Sequence, residues 1–323
     1  MKVKSIDALM KYLREEKSLK ISGSIQKRHL RNIGYYHGYK GYRFYSTPNN
    51  MLCYKNFNEL ESVYDFDMQI KSLLYPKIMF LETAFKNYAL EEILVEVKSG
   101  RFADVYSNAL TFYKKFSIGS KEYKNQLKKR MKLRNNIYSD LSRDYEKKLI
   151  VQNFYHKDKP VPIWAIFELI SFGEFGSLLS TLDPKIKLKL SKSIGFNRAF
   201  DTDGSLTQTI VYILKDLRNA IAHNDTVFDT RFKSSKISNK ISNYLTLTTG
   251  INNITFATIV DYIILIAYLL SCFKISKTEI KKFIKDFMAC YESLRSKIPI
   301  NIYNKIIHTD TRNKLINLEK YLC

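Results

Sequence analysis

Apolar residues return at intervals of three and four along most of this chain, the spacing of helices that each bury one face. Over residues 5–17 the stripe is Ile6, Leu9, Met10 and Leu13, with Ser5 or Asp7 placed to cap the first turn. A second short helix is predicted over SIQKRHLRNIGYY, after the SGS break at 22–24. Residues 38–57 lose the period, and Pro48-Asn49-Asn50 marks a turn, so this stretch reads as irregular or as a small hairpin. From 58 to about 98 the period resumes as one long helix whose apolar face is Leu73, Leu74, Ile78, Leu81, Phe85, Tyr88 and Leu90. Pro76 within it predicts a kink or a split.

Further helices are predicted over 104–117, 120–150 and 184–193. WAIFELISFGEFGSLLSTL reads as a helix, a glycine-containing turn and a second helix. Ser205 opens SLTQTIVYILKDLRNAIAH, residues 224–253 look irregular, and two more helices follow at 254–273 and 276–296. The most apolar stretch, IVDYIILIAYLLSCF at 259–273, is shorter than the roughly 20 residues that span a bilayer and carries Asp261, so it reads as a buried core helix. The pattern is all-α: a small N-terminal helical domain over 1–57, then a helical domain over 58–323 that includes the C-terminal helices. With 11 Gly and 6 Pro in 323 residues, turns are scarce, which favours long helices over a many-stranded sandwich.

Charge changes the picture. Fifty-three Lys and Arg against 31 Asp and Glu leave a net +22, an excess that calls for a polyanion, nucleic acid or an anionic membrane surface. Compositional drift in a chain rich in Lys, Ile, Asn and Tyr is the alternative source. The basic helix KEYKNQLKKRMKLRNNIY offers Lys128, Lys129, Arg130, Lys132 and Arg134 as phosphate contacts, with Tyr123 and Tyr138 available for stacking. A solvated helix face explains the same residues. Arg28, Arg31 and Arg43 interleave with tyrosines, as single-strand binders arrange them, although tyrosines at this density also pack small domains.

The cysteines at 53, 272, 290 and 323 form no C-x-x-C, so reduced, mostly buried thiols are expected, with no metal site and no disulfide framework. The segment MKVKSIDALMKYLREEK carries charges through its apolar positions and is no signal peptide, which points to the cytoplasm and away from the membrane. No P-loop, dinucleotide fingerprint, H-E-x-x-H or G-x-S-x-G occurs, so no cofactor is implied.

The sharpest chemical signal is KDLRNAIAHNDTVF at 215–228, in which Arg218, Asn219 and His223 lie near the end of a predicted helix. These residue types suit RNA cleavage without a metal. A histidine can take the proton of a ribose 2′-hydroxyl or return one to the leaving 5′-oxygen. A guanidinium can grip the phosphate, and an asparagine can orient either group. Five steps of roughly 100° put Arg218 about 140° around the helix from His223, so the two do not stack directly. The bare spacing also fits a polar helix end, with His223 beside the C-terminal dipole.

Four blocks resemble, in order, those of a known family. They are LRNIGYYHGYKGYRFY, YDFDMQIKSLL with FLETAFKNYAL, PVPIWAIFELISFGEFGSLLSTL, and LRNAIAHN. The third is the most specific, with Pro162, Trp164, Phe167, Glu168, Ser171, Phe172 and Gly173 all fitting. The set resembles the Abi-like abortive-infection proteins, the AbiD and AbiF group, within the HEPN superfamily of helical nucleases. Lys71 and Lys86 stand where that family often has arginines, and Asp225-Thr226 where it often has a basic residue.

The resemblance implies a HEPN-type helical bundle and a ribonuclease toxin. In that reading Arg218 is the phosphate clamp, Asn219 the orienting group and His223 the acid/base. It also implies a homodimer that joins two half-sites, and control by a structured non-coding RNA or by a protein antitoxin. A non-catalytic protein that packages a structured RNA is the alternative. Trp164 reads as a core anchor. Glu168 reads as structural, or as a buried partner for Arg218 or His223.

Overall fold

A computed structural model describes residues 5–322, which form fifteen α-helices and no strand. The all-α expectation holds. The chain divides into two compact units: unit 1 comprises residues up to Lys77 and from Asp216 onward, and unit 2 comprises Ile78–Lys215. The 57/58 boundary read from the sequence falls inside unit 1, at the start of a helix.

Unit 1 opens with α1 (Ile6–Glu15), capped by the Ser5 hydroxyl, which accepts from the Ala8 N–H. α2 (Gly23–Tyr35) packs on it and ends where Gly34 takes φ 71°, a left-handed conformation that suits glycine. A π-helical turn (Tyr36–Lys40) follows. The expected hairpin is a single antiparallel bridge between Phe44 and Met51, closed by Tyr45 N–H to the Asn50 carbonyl at 2.9 Å.

α3 (Phe57–Val97) is unbroken through Pro76, so of the two predicted outcomes the split does not occur. Its first half belongs to unit 1 and its second to unit 2. Leu74, Ile78, Leu81 and Phe85 are fully buried as expected, and Ala89 and Ile93 continue the stripe; Leu73, Tyr88 and Leu90 are half-buried.

In unit 2, α4 (Phe102–Asn108) and a 3₁₀ turn (Phe112–Lys115) replace the single helix predicted at 104–117. The reason is tertiary. The Ala109 carbonyl accepts from Asp183 N–H at 2.7 Å and so is taken from helix pairing, and the Thr111 hydroxyl donates to the Asp183 carboxylate at 2.6 Å, which anchors the break. The basic stretch divides into α5 (Lys121–Asp144) and α6 (Leu149–Tyr155). α7 (Ile163–Leu169) and α8 (Phe172–Thr181) pack on α5. Their break is not the glycine turn expected. It falls at Ile170-Ser171, where Ser171 and Glu174 form a reciprocal capping box, and Gly173 and Gly176 lie inside α8. α9 (Pro184–Ile194) follows, and α10 (Leu206–Ala222) begins in unit 2 and ends in unit 1.

The rest of unit 1 contains a helix the sequence reading missed, α11 (Asn239–Thr249), between Ser238 as N-cap and left-handed Gly250. α12 (Ile259–Cys272) is the buried helix expected, with Ile259 through Leu270 all inside. It starts later than predicted because the Asp261 carboxylate accepts from Thr255 and Phe256 N–H at 3.1 and 2.8 Å, holding that segment as a loop. Lys314 completes the pairing of Asp261 at 2.9 Å. α13 (Lys277–Arg295) and α15 (Thr311–Leu322) pack on α12, and α14 (Ile300–Ile306) packs on α13.

Among the described residues no helix is long and apolar enough to cross a membrane. The cysteines are less buried than expected: Cys53 is exposed, Cys272 and Cys290 are half-buried, and all three are free thiols. Cys323 and residues 1–4 lie outside the described residues.

Candidate functional site

The last turns of α10 carry the signature. Leu214, Leu217 and Ala220 face the interior, which leaves Arg218 and Asn219 half-buried and His223 exposed. Arg218 Nη1 donates to Asn219 Oδ1 at 3.3 Å, so the two side chains are already joined. His223 is the first residue past α10, its N–H still bonded to the Asn219 carbonyl at 2.9 Å. The helix then stops abruptly. Asn224 takes φ 57°, its N–H bonds to Ile221, and Asp225 N–H reaches back to the Ala220 carbonyl at 2.8 Å. This is the Schellman arrangement, and asparagine is among the few non-glycine residues that accept its left-handed position.

The Asn224 side chain is held as firmly as its backbone. Lys71 Nζ donates to its Oδ1 at 2.9 Å, which aims the amide nitrogen at His37 Nε2, 3.4 Å away. His37 therefore accepts at Nε2 as a neutral ring. Burial lowers its pKa below the ordinary 6.5 and Lys71 reinforces the shift, while Asp67 and Asp225 act in the opposite sense. Tyr36, Tyr42 and Tyr64 surround the ring with centroids at 5.2, 6.2 and 6.0 Å.

Asp67 organises this region. It is fully buried and accepts four hydrogen bonds: Val227 N–H at 2.8 Å, Phe228 N–H at 2.7 Å, the Tyr42 hydroxyl at 2.7 Å and Lys71 Nζ at 2.8 Å. A carboxylate that fills its lone pairs this way compensates its own desolvation. Phe228 stacks on Tyr42 at 5.8 Å, and Asp229 accepts from Ser46 N–H at 2.8 Å while it pairs with Arg231. The chain that leaves the turn at His223 is thus fixed to α3 and to the tyrosine-rich segment. His37, Asp67, Lys71 and Asn224 were not selected from the sequence as site residues. The available signal was an acid and a lysine four apart on the same helix face as Ile70 and Leu74, in YDFDMQIKSLL.

Of the expected RNA contacts, those on α5 belong to unit 2 and the others to unit 1. On α5, Lys128, Lys129, Lys132 and Arg134 are exposed. Arg130 is engaged in packing: its guanidinium lies 3.7 Å from the Tyr106 ring centroid and donates to the Tyr106 carbonyl. In unit 1, Arg28 and Arg31 are exposed on α2, while Arg43 is half-buried. Tyr39, Tyr42 and Tyr45 are buried, so most of this tyrosine block packs the domain. Two further expectations fail. Trp164 is 47% exposed and meets Phe154 edge-on, so it is no core anchor. Glu168 is exposed as well, not a buried ion-pair partner.

Residues 28–229 match the family model described as Abi-like protein, which covers both the tyrosine-rich segment and the α10 signature. The chain belongs to this family, and the membership points to abortive-infection defence. No curated protein and no solved structure matches the chain at a significant level.

Proposed function

We propose that the chain is a HEPN-type ribonuclease toxin of the AbiD and AbiF group that cleaves RNA without a metal. The observation that carries this reading is an exposed His223 at a rigid helix end, one turn beyond a joined Arg218–Asn219 pair. The imidazole accepts the proton of a ribose 2′-hydroxyl, and the freed oxygen attacks the adjacent phosphorus. The bond to the 5′-oxygen breaks, and that oxygen takes up a proton from a His223 imidazolium. The products carry 2′,3′-cyclic phosphate and 5′-hydroxyl ends. Arg218 offsets the phosphorane charge, and Asn219 sets the direction of the guanidinium. Arg218 and His223 point around different sides of α10, so a second copy of the chain completes each site as a homodimer.

The RNA partner is supported by the net charge of +22 and by the exposed row Lys128, Lys129, Lys132 and Arg134. Arg28 and Arg31 add a second basic surface suited to a structured non-coding RNA. His223→Ala should slow cleavage by about 10²–10⁴-fold and leave RNA binding intact. Unchanged cleavage by pure mutant protein overturns the assignment. Salt-sensitive RNA binding without cleavage by wild type would favour the packaging role instead. Full activity of a monomer at high dilution would exclude the shared site.

A further inference from the structure

Three lysines are buried among the described residues, and two of them have carboxylate partners. Lys71 pairs with Asp67, and Lys314 pairs with Asp261 and Asp310. The third, Lys187, is 5% exposed, and no carboxylate lies within ion-pairing distance of it among the described residues. Its Nζ donates to the Ser180 carbonyl at 2.9 Å and lies 3.8 Å from the centroid of the Phe112 ring. A buried ammonium with so little compensation is costly, and proteins keep such a group where something else supplies the negative charge.

What Lys187 faces is a cavity of about 330 Å³ within unit 2. Lys115 and Lys129 line it together with Lys187, and Gln126 and Gln208 add side-chain amides. Asp203 is the single carboxylate in the lining, and it accepts from Ser205 N–H and the Ser205 hydroxyl. Asp183, nearby, is occupied by Thr111 and Lys185 N–H. Pro184 and Ser205, also in the lining, stand at the first turns of α9 and α10, whose dipoles add positive potential. The volume exceeds that of a bare phosphate and lies in the range of small-ligand sites.

We propose that this cavity binds a phosphate monoester, with Lys187 as the buried counter-charge and Lys115 and Lys129 closing over the phosphate from the rim. The ligand is a nucleotide, either free or as the 5′-phosphorylated end of an RNA. The proposal does not rest on the chemistry at His223. It assigns a role to Lys129 beyond general phosphate contact and gives Lys187, unremarkable in the sequence, the central one.

The titration of Lys187 agrees with an anion site. Burial lowers its pKa to about 8; Asp203 and Asp183 oppose the shift, and Lys115 and Lys129 reinforce it. A bound phosphate restores the protonated form, so affinity should fall as pH rises past about 8.

Calorimetric titration of the full-length protein with AMP, with adenosine as the control, tests this. AMP should bind and adenosine should not. Lys187→Met should keep the fold, with a melting temperature equal to or above wild type because an uncompensated buried charge is gone. It should also weaken AMP by about tenfold or more. The rim variant Lys115→Ala/Lys129→Ala, which alters exposed positions only, should weaken it as well. His223→Ala should bind AMP as wild type does, so failure of the nuclease reading leaves this test intact. Trinucleotides with 5′-phosphate or 5′-hydroxyl ends then identify the source. Tighter binding of the phosphorylated trinucleotide than of AMP marks an RNA end, and the reverse marks a free nucleotide. Absence of saturable AMP binding to wild type, or AMP binding that neither lysine variant weakens, overturns the proposal.

Discussion

α3 carries the same device twice, one copy in each unit, and the two copies do different work. Asp67 and Lys71 pair across one turn in unit 1; Glu82 and Lys86 pair across one turn in unit 2, at 3.0 Å. Both pairs sit at inward positions of an apolar stripe. Lys86 extends to a single carbonyl, that of Ile170 at the break between α7 and α8, at 2.8 Å. Asp67 and Lys71 together reach Tyr42, Val227, Phe228 and Asn224, and so fix the chain that emerges from the turn at His223. Equal spacing and equal chemistry thus give a local fastening in one unit and the frame of the candidate site in the other. The difference lies in what the tertiary structure brings against each pair.

That contrast can be broken most directly at the two acids. Asp67→Asn should cost about 3–5 kcal/mol, because Lys71 is left buried beside an amide that cannot serve four donors. It should also accelerate hydrogen exchange at the Val227 and Phe228 amides and abolish cleavage. Glu82→Gln should cost less, about 1–3 kcal/mol, and leave those two amides protected. Equal effects of both substitutions on the Val227 and Phe228 amides would show that the pairs are equivalent.

A smaller effect is expected at Asn224, where backbone and side chain separate. Asn224→Gly keeps the left-handed turn and loses only the bonds to Lys71 and His37. Asn224→Ala loses both and should be the less stable by about 1 kcal/mol in urea unfolding. If the side-chain clamp orients the turn at His223, both variants lose cleavage rate in parallel; a loss confined to the alanine variant would assign the role to the backbone alone.

The smallest effect concerns His37. Its pKa is lowered on folding, so the unfolded chain binds the proton more readily. The stability it contributes is fully present above its ordinary 6.5 and is lost as pH falls from there through the folded value. The urea midpoint of wild type should therefore decline more steeply below that pH than that of His37→Gln. Parallel profiles would show that the ring is not held neutral by Lys71 and its own burial.

How much of this was legible beforehand varies with the physics involved. α10 and the signature on it could be read because apolar periodicity and the Arg-Asn-His spacing are local. α3 was legible for the same reason, including its unbroken stripe past Pro76. The break at 109–111 was not, since it depends on Asp183, more than seventy residues later. α11 was missed although Ile241, Tyr244 and Leu245 keep helical spacing between Ser238 and Gly250, a signal that was present. Trp164 shows the converse error, since size and apolarity do not decide which face of a short helix turns inward.

By itself, the sequence determined the all-α class, the extent of most helices and the position of the candidate chemistry, because each depends on contacts within a few turns. The tertiary structure decided which charges are buried and what they meet. Lys187 looks like an ordinary surface residue in the sequence, and nothing there shows what Asp67, Lys71 or Asp261 meets. A charge is stable inside only where partners from distant segments converge on it, and such convergence leaves no local periodic trace. At Asp67 the partners are Tyr42, Val227 and Phe228, while Lys187 meets the Ser180 carbonyl, the Phe112 ring and a cavity.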